Sequence, residues 1–242
     1  MKEKYISQWE NQYSEQINVR IEKRSKLQEQ GSHPYKHNVK PSIKATKLNE
    51  MYGHKEKEEI GVTETYSIAG RAMMVRDFGK AAFIQVDDGS CRFQLYVKKK
   101  VTSDEGFADY KLCDYGDIIW AEGKLFKTNK GELTLEAHEF KVVTKSLRPL
   151  PEKFHGLTDT EARYRMRYVD LITNPESREK LMLRSKIVRY IREFFYKDNW
   201  LEVETPMMHS VAGGASAKPF NTHHNALDME LFMRIAPELH LK

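Results

Sequence analysis

Apolar and polar positions change their period along the chain, and each change marks an element. Residues 1–30 are polar, with Ile17, Ile21 and Leu27 forming a thin apolar stripe at helical spacing and Gly31 where a helix C-cap belongs. Residues 31–60 lose that period. Pro34, Pro41 and scattered lysines read as linker, and KEKEE (Lys55–Glu59) as a solvated charge run. From Gly61 the period falls to two. TYSIAGRAMMVRDFG alternates and ends in glycine, and AAFIQVDDGS is a short apolar run closed by a turn signal. CRFQLYVKKK alternates strictly, with Phe93, Leu95 and Val97 on one face and Arg92, Gln94 and Tyr96 on the other. TSDEGFADYKLCDYGD reads as a short helix with loops. DIIWAEGKLFKTNKGELTLEAHEFKVVT then gives two more strands joined by the turn TNKG.

Five strands with a helix between the third and fourth fit an OB-fold, a small barrel whose second and third strands and connecting loops bind oligonucleotides. RPLPEKFHG (Arg148–Gly156) is a proline-bearing boundary. In LTDTEARYRMRYVDL, Thr158 and Glu161 have capping-box spacing. Arg163, Arg165 and Arg167 alternate there with Tyr164, Met166 and Tyr168, as in a charged interface or a salt-bridged surface helix. Leu183, Ile187, Val188, Ile191, Phe194 and Phe195 then keep one helical face apolar. DNW breaks that helix, and LEVETP alternates as a strand until Pro206 stops it. This pair reads either as core or as a symmetric subunit interface. The expected organisation is an α+β, multidomain chain: helix and linker 1–60, barrel 61–147, hinge 148–172 and a further domain 173–242.

Composition narrows the class. The chain has 242 residues, 40% of them hydrophobic, which is enough to bury a core. No run of about 18 apolar residues predicts a membrane span. MKEKYISQWENQ lacks the apolar centre of a secretory signal, so a cytoplasmic location is expected. Cys91 and Cys113 have no metal-ligand spacing and read as reduced thiols, with a single bridge as the alternative. The net charge of +5 suits a polyanion partner and equally a soluble surface. Arg20, Lys23 and Arg24 share a helical face away from the apolar stripe. That face is either solvated or laid along a phosphate backbone.

The barrel supplies candidates for base recognition. Phe83 is placed to stack on a base, Gln94 to pair with a base edge, Arg71 to hold a phosphate or base carbonyl, and Glu132 to accept from a base amine. Each has a plainer alternative, core for Phe83 and ordinary surface for the others. VAGGASAKPFNTHHN (Val211–Asn225) lacks the lysine–serine or lysine–threonine pair of a P-loop. His223 and His224 would point to opposite faces of a strand, which argues against a shared metal.

Several long stretches resemble one family. AGRAMMVRDFGKAAFIQVDD, GDIIWAEGKLFKTNKGEL, LRPLPEKFHGLTDTEARYRMRYVDL and GGASAKPFNTHHNALDMELFMRIAPELHLK are similar to bacterial-type lysyl-tRNA synthetases, class II aminoacyl-tRNA synthetases. The resemblance runs from about residue 14 to Lys242. It implies an anticodon-binding barrel reading a central uridine through Arg71, Phe83, Gln94 and Glu132, followed by the start of an antiparallel-sheet catalytic domain. It further implies a homodimer formed through motif 1, with Pro206 closing the interface strand. The Gly214 backbone and the Glu238 carboxylate would hold the α-ammonium of lysine. Implied partners are tRNA(Lys), lysine and ATP with Mg2+, and the N-terminal basic trio would add non-specific affinity for tRNA. Motif 2, motif 3 and the magnesium carboxylates are expected beyond Lys242, so no catalytic residue is assigned and the 242-residue chain alone is expected to be inactive. The rival expectations are a non-catalytic tRNA-binding module, a protein-modifying relative, which the presence of the barrel opposes, and an aspartyl- or asparaginyl-type ligase.

Overall fold

The computed structural model describes residue 7 and residues 10–60, 64–151 and 157–242. The expected boundary residues Glu152–Gly156 and the onset of alternation at Gly61 lie outside the described residues. The chain forms two compact units, Met1–Pro175 and Glu176–Lys242.

In the first unit, β1 (Tyr66–Asp77), β2 (Ala81–Asp87), β3 (Arg92–Lys98), β4 (Ile118–Lys127) and β5 (Leu133–Thr144) close into a barrel in the order β1-β2-β3-β5-β4. The neighbours are antiparallel except β3 and β5, which run parallel. Alternation builds β3 as expected, with Phe93, Leu95 and Val97 buried, and the apolar run of β2 also alternates, burying Ala82, Ile84 and Val86 and leaving the residues between them less buried. Each large apolar side chain buried this way contributes about 1.5–3 kcal/mol. A helix, Asp104–Lys111, packs on β5 between the third and fourth strands, with Tyr110 edge-on to Phe140 at 6.2 Å. Ser103 caps it by accepting from the Gly106 N–H.

The N-terminal helix α1 (Ser14–Glu29) keeps Leu27 of the expected stripe buried but turns Arg20 inward with it and leaves Ile21 outside. Arg20, 7% exposed, donates from Nη1 to the Ser146 carbonyl (2.8 Å) and from Nη2 to the Tyr115 carbonyl (2.9 Å). Lys23 pairs with Asp114 at 2.5 Å. The end of the barrel presents carbonyls and a carboxylate to the helix. Long cationic side chains satisfy these polar groups where isoleucine would not. Behind Lys23, the buried Lys145 donates to Asp114 Oδ2 (2.6 Å), Asp117 Oδ2 (2.7 Å) and the Leu112 carbonyl (2.7 Å). Burial by itself would raise the Asp114 carboxyl, but the hydrogen bonds and charges of Lys145 and Lys23 hold it below the usual carboxylate range.

The expected linker 31–60 contains structure. A second helix, α2 (Ala45–Tyr52), buries Ala45 and Leu48 on the barrel, and the Asp88 carboxylate accepts from the Ala45 N–H at its start. KEKEE includes a single 3₁₀ turn, Lys57–Glu59. With the helix 104–111 counted as α3, α4 (Thr160–Arg165) and α5 (Arg167–Thr173) follow. The α4 cap is Asp159, accepting from the Ala162 N–H at 2.6 Å, rather than Thr158. The arginine alternation resolves into ion pairs: Arg165 with Glu161, and both Arg163 and Arg167 with the buried Asp170.

The next helix, α6 (Pro175–Lys197), buries Ser177 in its first turn and is exposed from Glu179 onward, and Leu183, Ile187, Val188, Ile191, Phe194 and Phe195 are 42–57% exposed. It is therefore not a core helix among the described residues. Residues 201–206 form no strand, because no described segment offers them a hydrogen-bonding ladder. Instead Arg234 holds this stretch through the carbonyl of Thr205 (3.0 Å) and its hydroxyl (2.5 Å). A three-stranded antiparallel sheet follows, in the order β6 (Met208–His209), β8 (Met229–Met233), β7 (Asn221–His224), then the short α7 (Glu238–Leu241). His223 and His224 sit on β7. His223 pairs with Asp228 at 3.3 Å, and His224 Nδ1 accepts from the Leu227 N–H.

Candidate nucleic-acid interface and amino-acid loop

The register of the barrel decides which outward side chains meet. Phe83 lies opposite Tyr96, and Gln85 opposite Gln94. Gln94 in turn pairs with Thr134 on β5, and Phe126 of β4 pairs with the same Thr134. Phe83 and Gln94 therefore stand on one face, in adjacent outward rows. Phe83 is half-buried and backed by Tyr96, with ring centroids 4.8 Å apart. Tyr96 is edge-on to Phe126 at 5.9 Å, and Phe83 edge-on to Phe78 at 6.3 Å. The face thus carries an aromatic row, with polar groups beside it.

Those polar groups are connected. Gln94 Nε2 donates to Thr134 Oγ1 (2.9 Å), and the Thr134 hydroxyl donates to the Glu132 carbonyl (3.1 Å). Glu132 itself lies in the β4–β5 turn with its side chain exposed. Phe83 and Gln94 share this face, and Glu132 is tied to it through its backbone carbonyl. An aromatic platform flanked by an amide suits an unpaired base, stacked on its face and bonded at its edge.

Arg71 is placed elsewhere. It pairs in register with Asp87, and its Nη1 donates to the Gly116 carbonyl at 2.8 Å. It lines a cavity of about 240 Å³ with hinge residues such as Leu150, Met166 and Val169. Burial lowers its pKa from the ordinary guanidinium value, against the opposing pull of Asp117 and Asp87. Its partner Asp87 lies on the same outward side of β2 as Phe83 and Gln85, two rows from Phe83, and a β-bulge between Ala72 and Met74 then shifts the outward phase of the rest of β1. Beyond the bulge the exposed arginine opposite Phe83 is Arg76. Sequence reasoning missed it because counting in twos cannot see an inserted residue. Tyr96 was visible in the sequence, in the same outward set as Gln94.

The N-terminal trio is also not a free basic stripe. Arg20 is buried and Lys23 is ion-paired, both against the barrel, and Arg24 is half-buried, so the face expected along a phosphate backbone is spent on docking α1.

In the second unit, the glycine loop and the start of α7 converge. Gly214 has φ +94°, and a Cβ there would lie 2.9 Å from the Ala236 carbonyl oxygen. Gly213 borders Leu239. Only a residue free to take positive φ with no side chain fits this approach. Glu238, two residues past Ala236, is exposed and pairs with Lys242 at 2.7 Å. Gly214 therefore packs against the segment that leads into Glu238. Pro206 is exposed, and its carbonyl lies 3.1 Å from His209 Nε2.

Comparison with known proteins matches the two regions that hold these residues. Residues 66–143 match the family model described as OB-fold nucleic acid binding domain. Residues 159–242 match that described as tRNA synthetases class II (D, K and N). Over 230 residues, 95% of the chain, the sequence is 53% identical to the lysine–tRNA ligases of Bacillus mycoides and Bacillus cereus. It is 52% identical, over the same share, to that of Bacillus thuringiensis. These ligases are homologues of the chain, which spans about half of their length, 46%.

Proposed function

We propose that the chain is the tRNA-reading and amino-acid-selecting portion of a lysine–tRNA ligase. The observation that carries this reading is the linked set Gln94, Thr134 and Glu132 beside the Phe83–Tyr96 pair. The first stretch of a class II synthetase follows it in the same chain. In the proposed whole-protein reaction the lysine carboxylate attacks the ATP α-phosphate, giving lysyl-adenylate and pyrophosphate. The terminal adenosine hydroxyl of tRNA(Lys) then takes the lysyl group.

The residues of this chain bind and orient. Phe83 stacks the central anticodon base, and Gln94 and Glu132 bond its edge. Arg76 replaces Arg71 as the cation at this face. The Gly214 backbone and the Glu238 carboxylate hold the lysine α-ammonium, since an ammonium leaving water needs a charged acceptor. Magnesium would offset the phosphate charge. Among the described residues no three carboxylates, histidines or cysteines converge, so none is assigned to hold it. The exposed apolar face of α6 and the segment ending at Pro206 fit a homodimer contact. A cytoplasmic location fits the reading, and no described helix is long and apolar enough to cross a membrane.

The test is titration with a tRNA(Lys) anticodon stem-loop and with the same loop carrying a substituted central base. Preference for the unsubstituted loop, lost in Phe83→Ala, is the expected result. Equal affinity for both loops refutes the reading. In the full-length protein, ATP–pyrophosphate exchange should depend on lysine rather than on aspartate or asparagine, and the 242-residue chain alone should give none.

A further inference from the structure

Phe78 stands beyond Phe83 at the end of the aromatic row, edge-on to it at 6.3 Å, and the fold holds it out. It is 66% exposed at the tip between β1 and β2, among the more exposed aromatic rings of the barrel unit. The tip is well fixed. Asp77 Oδ1 accepts from the Gly79 N–H at 2.6 Å, Phe78 N–H donates to the Ala81 carbonyl at 2.8 Å, and Gly79 takes φ +79°. Lys111 anchors Asp77 from α3 at 2.9 Å. The Asp77 carboxyl is held below its ordinary value chiefly by that hydrogen bond. A fixed turn presenting an apolar ring to water forgoes the gain from burying it, which makes sense where the ring acquires a stacking partner.

A second, independent feature lies at the same end of the sheet. Lys98 pairs in register with Ala81, and the Lys99 N–H donates to the Lys80 carbonyl at 3.0 Å. Lys80, Lys98, Lys99 and Lys100 are all exposed, and none forms an ion pair among the described residues. With Arg76 they make a basic edge running on from the aromatic row. Asp77, the nearest acid in sequence, is taken up by Lys111. Positive charge beside a stacking ring is the pattern by which single-stranded backbones are tracked.

From this we infer that the β1–β2 tip is a second base subsite: Phe78 stacks an unpaired nucleotide next to the one on Phe83, and the Lys80/Lys98–Lys100 edge neutralises the intervening phosphates. The occupant is single-stranded RNA of the anticodon loop, so the inference rests on the function proposed above and extends it from one base to two.

The experiment is a set of titrations of the protein with the tRNA(Lys) anticodon stem-loop, intact or carrying an abasic site at each loop position in turn. Phe78→Ala should weaken binding of the intact loop about 10-fold, and Phe78→Trp should restore it. The Phe78→Ala penalty should vanish for an abasic site adjacent to the one that cancels the Phe83→Ala penalty. The double variant Lys99→Gln/Lys100→Gln should make binding less dependent on salt. Thermal unfolding of Phe78→Ala checks that the exposed site leaves the barrel intact. If Phe83→Ala loses affinity and Phe78→Ala does not, the second subsite is wrong and the proposed function stands. If both penalties cancel at the same nucleotide, Phe78 belongs to the first subsite and the inference fails. If neither substitution matters, both readings fall.

Discussion

Gln94 Nε2 donates to Thr134 Oγ1 at 2.9 Å across the parallel β3–β5 pair. The direction of that bond is fixed by the next one, because the Thr134 hydroxyl spends its proton on the Glu132 carbonyl. Thr134 therefore accepts from Gln94, and the Gln94 Oε1 is left to accept from a base N–H. Thr134→Val removes the bond while keeping the shape. It should cost about 2- to 10-fold in discrimination for the central anticodon base, the worth of one net hydrogen bond. Paired titrations of matched and substituted stem-loops measure it, and unchanged discrimination would show that the amide needs no fixing.

Lys145 backs the contact between α1 and the barrel, because it shares Asp114 with Lys23. Its side chain has no exposure, and it sits between Asp114 and Asp117. Lys145→Met leaves two carboxylates in a poorly solvated place without their cation. Breaking a buried pair on one side costs about 3–5 kcal/mol. Urea denaturation should show a loss of that order, partly recovered in the double variant with Asp117→Asn. A loss below about 1 kcal/mol would mean that water replaces the ammonium at no great cost.

Acid should loosen α1. The Asp114 carboxyl is depressed in the folded protein by Lys145 and Lys23 acting against burial. Its stabilisation is therefore complete above the ordinary carboxylate pKa, near about 4, and disappears as the pH falls through the lower folded value. Amide hydrogen exchange should accelerate in Arg20–Leu27 below that range. In Asp114→Asn the same amides should exchange faster at neutral pH and show a smaller further acceleration in acid. Identical pH profiles for the two proteins would remove Asp114 from the account.

The barrel was legible because its physics is local. Alternation in β3 records a buried face directly and placed Gln94 outside it, whereas the apolar run of β2 left Phe83 open between core and surface until the pairing with β3 set it opposite Tyr96. What was lost depended on partners distant in sequence. The inward turn of Arg20 answers carbonyls at 115 and 146, 95 and 126 residues away. α2 was hidden in a proline-bearing stretch because its start is held by Asp88, on another element. Residues 201–206 alternate like a strand, but alternation cannot supply a neighbouring strand. Arg76 stood outside the expectation because a bulge after Ala72, which leaves no mark on the count, turns it to the face of Phe83. In the second unit, Gly214 and Glu238 were paired by the resemblance alone, and the fold sets the glycine loop against the 236–239 segment.

That corner gives the last prediction. Gly214 approaches the Ala236 carbonyl so closely that a Cβ would lie 2.9 Å away, and its φ of +94° is a region that alanine avoids. Gly214→Ala must push the 213–214 loop from the 236–239 segment or distort its own backbone. Either movement separates the Gly214 carbonyl from the Glu238 carboxylate, the two acceptors proposed for the lysine ammonium. In the full-length protein the substitution should raise the lysine concentration for half-maximal ATP–pyrophosphate exchange at least about 10-fold, one lost charge-assisted hydrogen bond. Affinity for the anticodon stem-loop should not change, because the barrel belongs to the other unit. Glu238→Gln, which keeps the shape and removes the charge, should raise the same lysine requirement without the backbone strain. If Gly214→Ala weakens lysine use and Glu238→Gln does not, the glycine shapes the loop and the ammonium is held by another group.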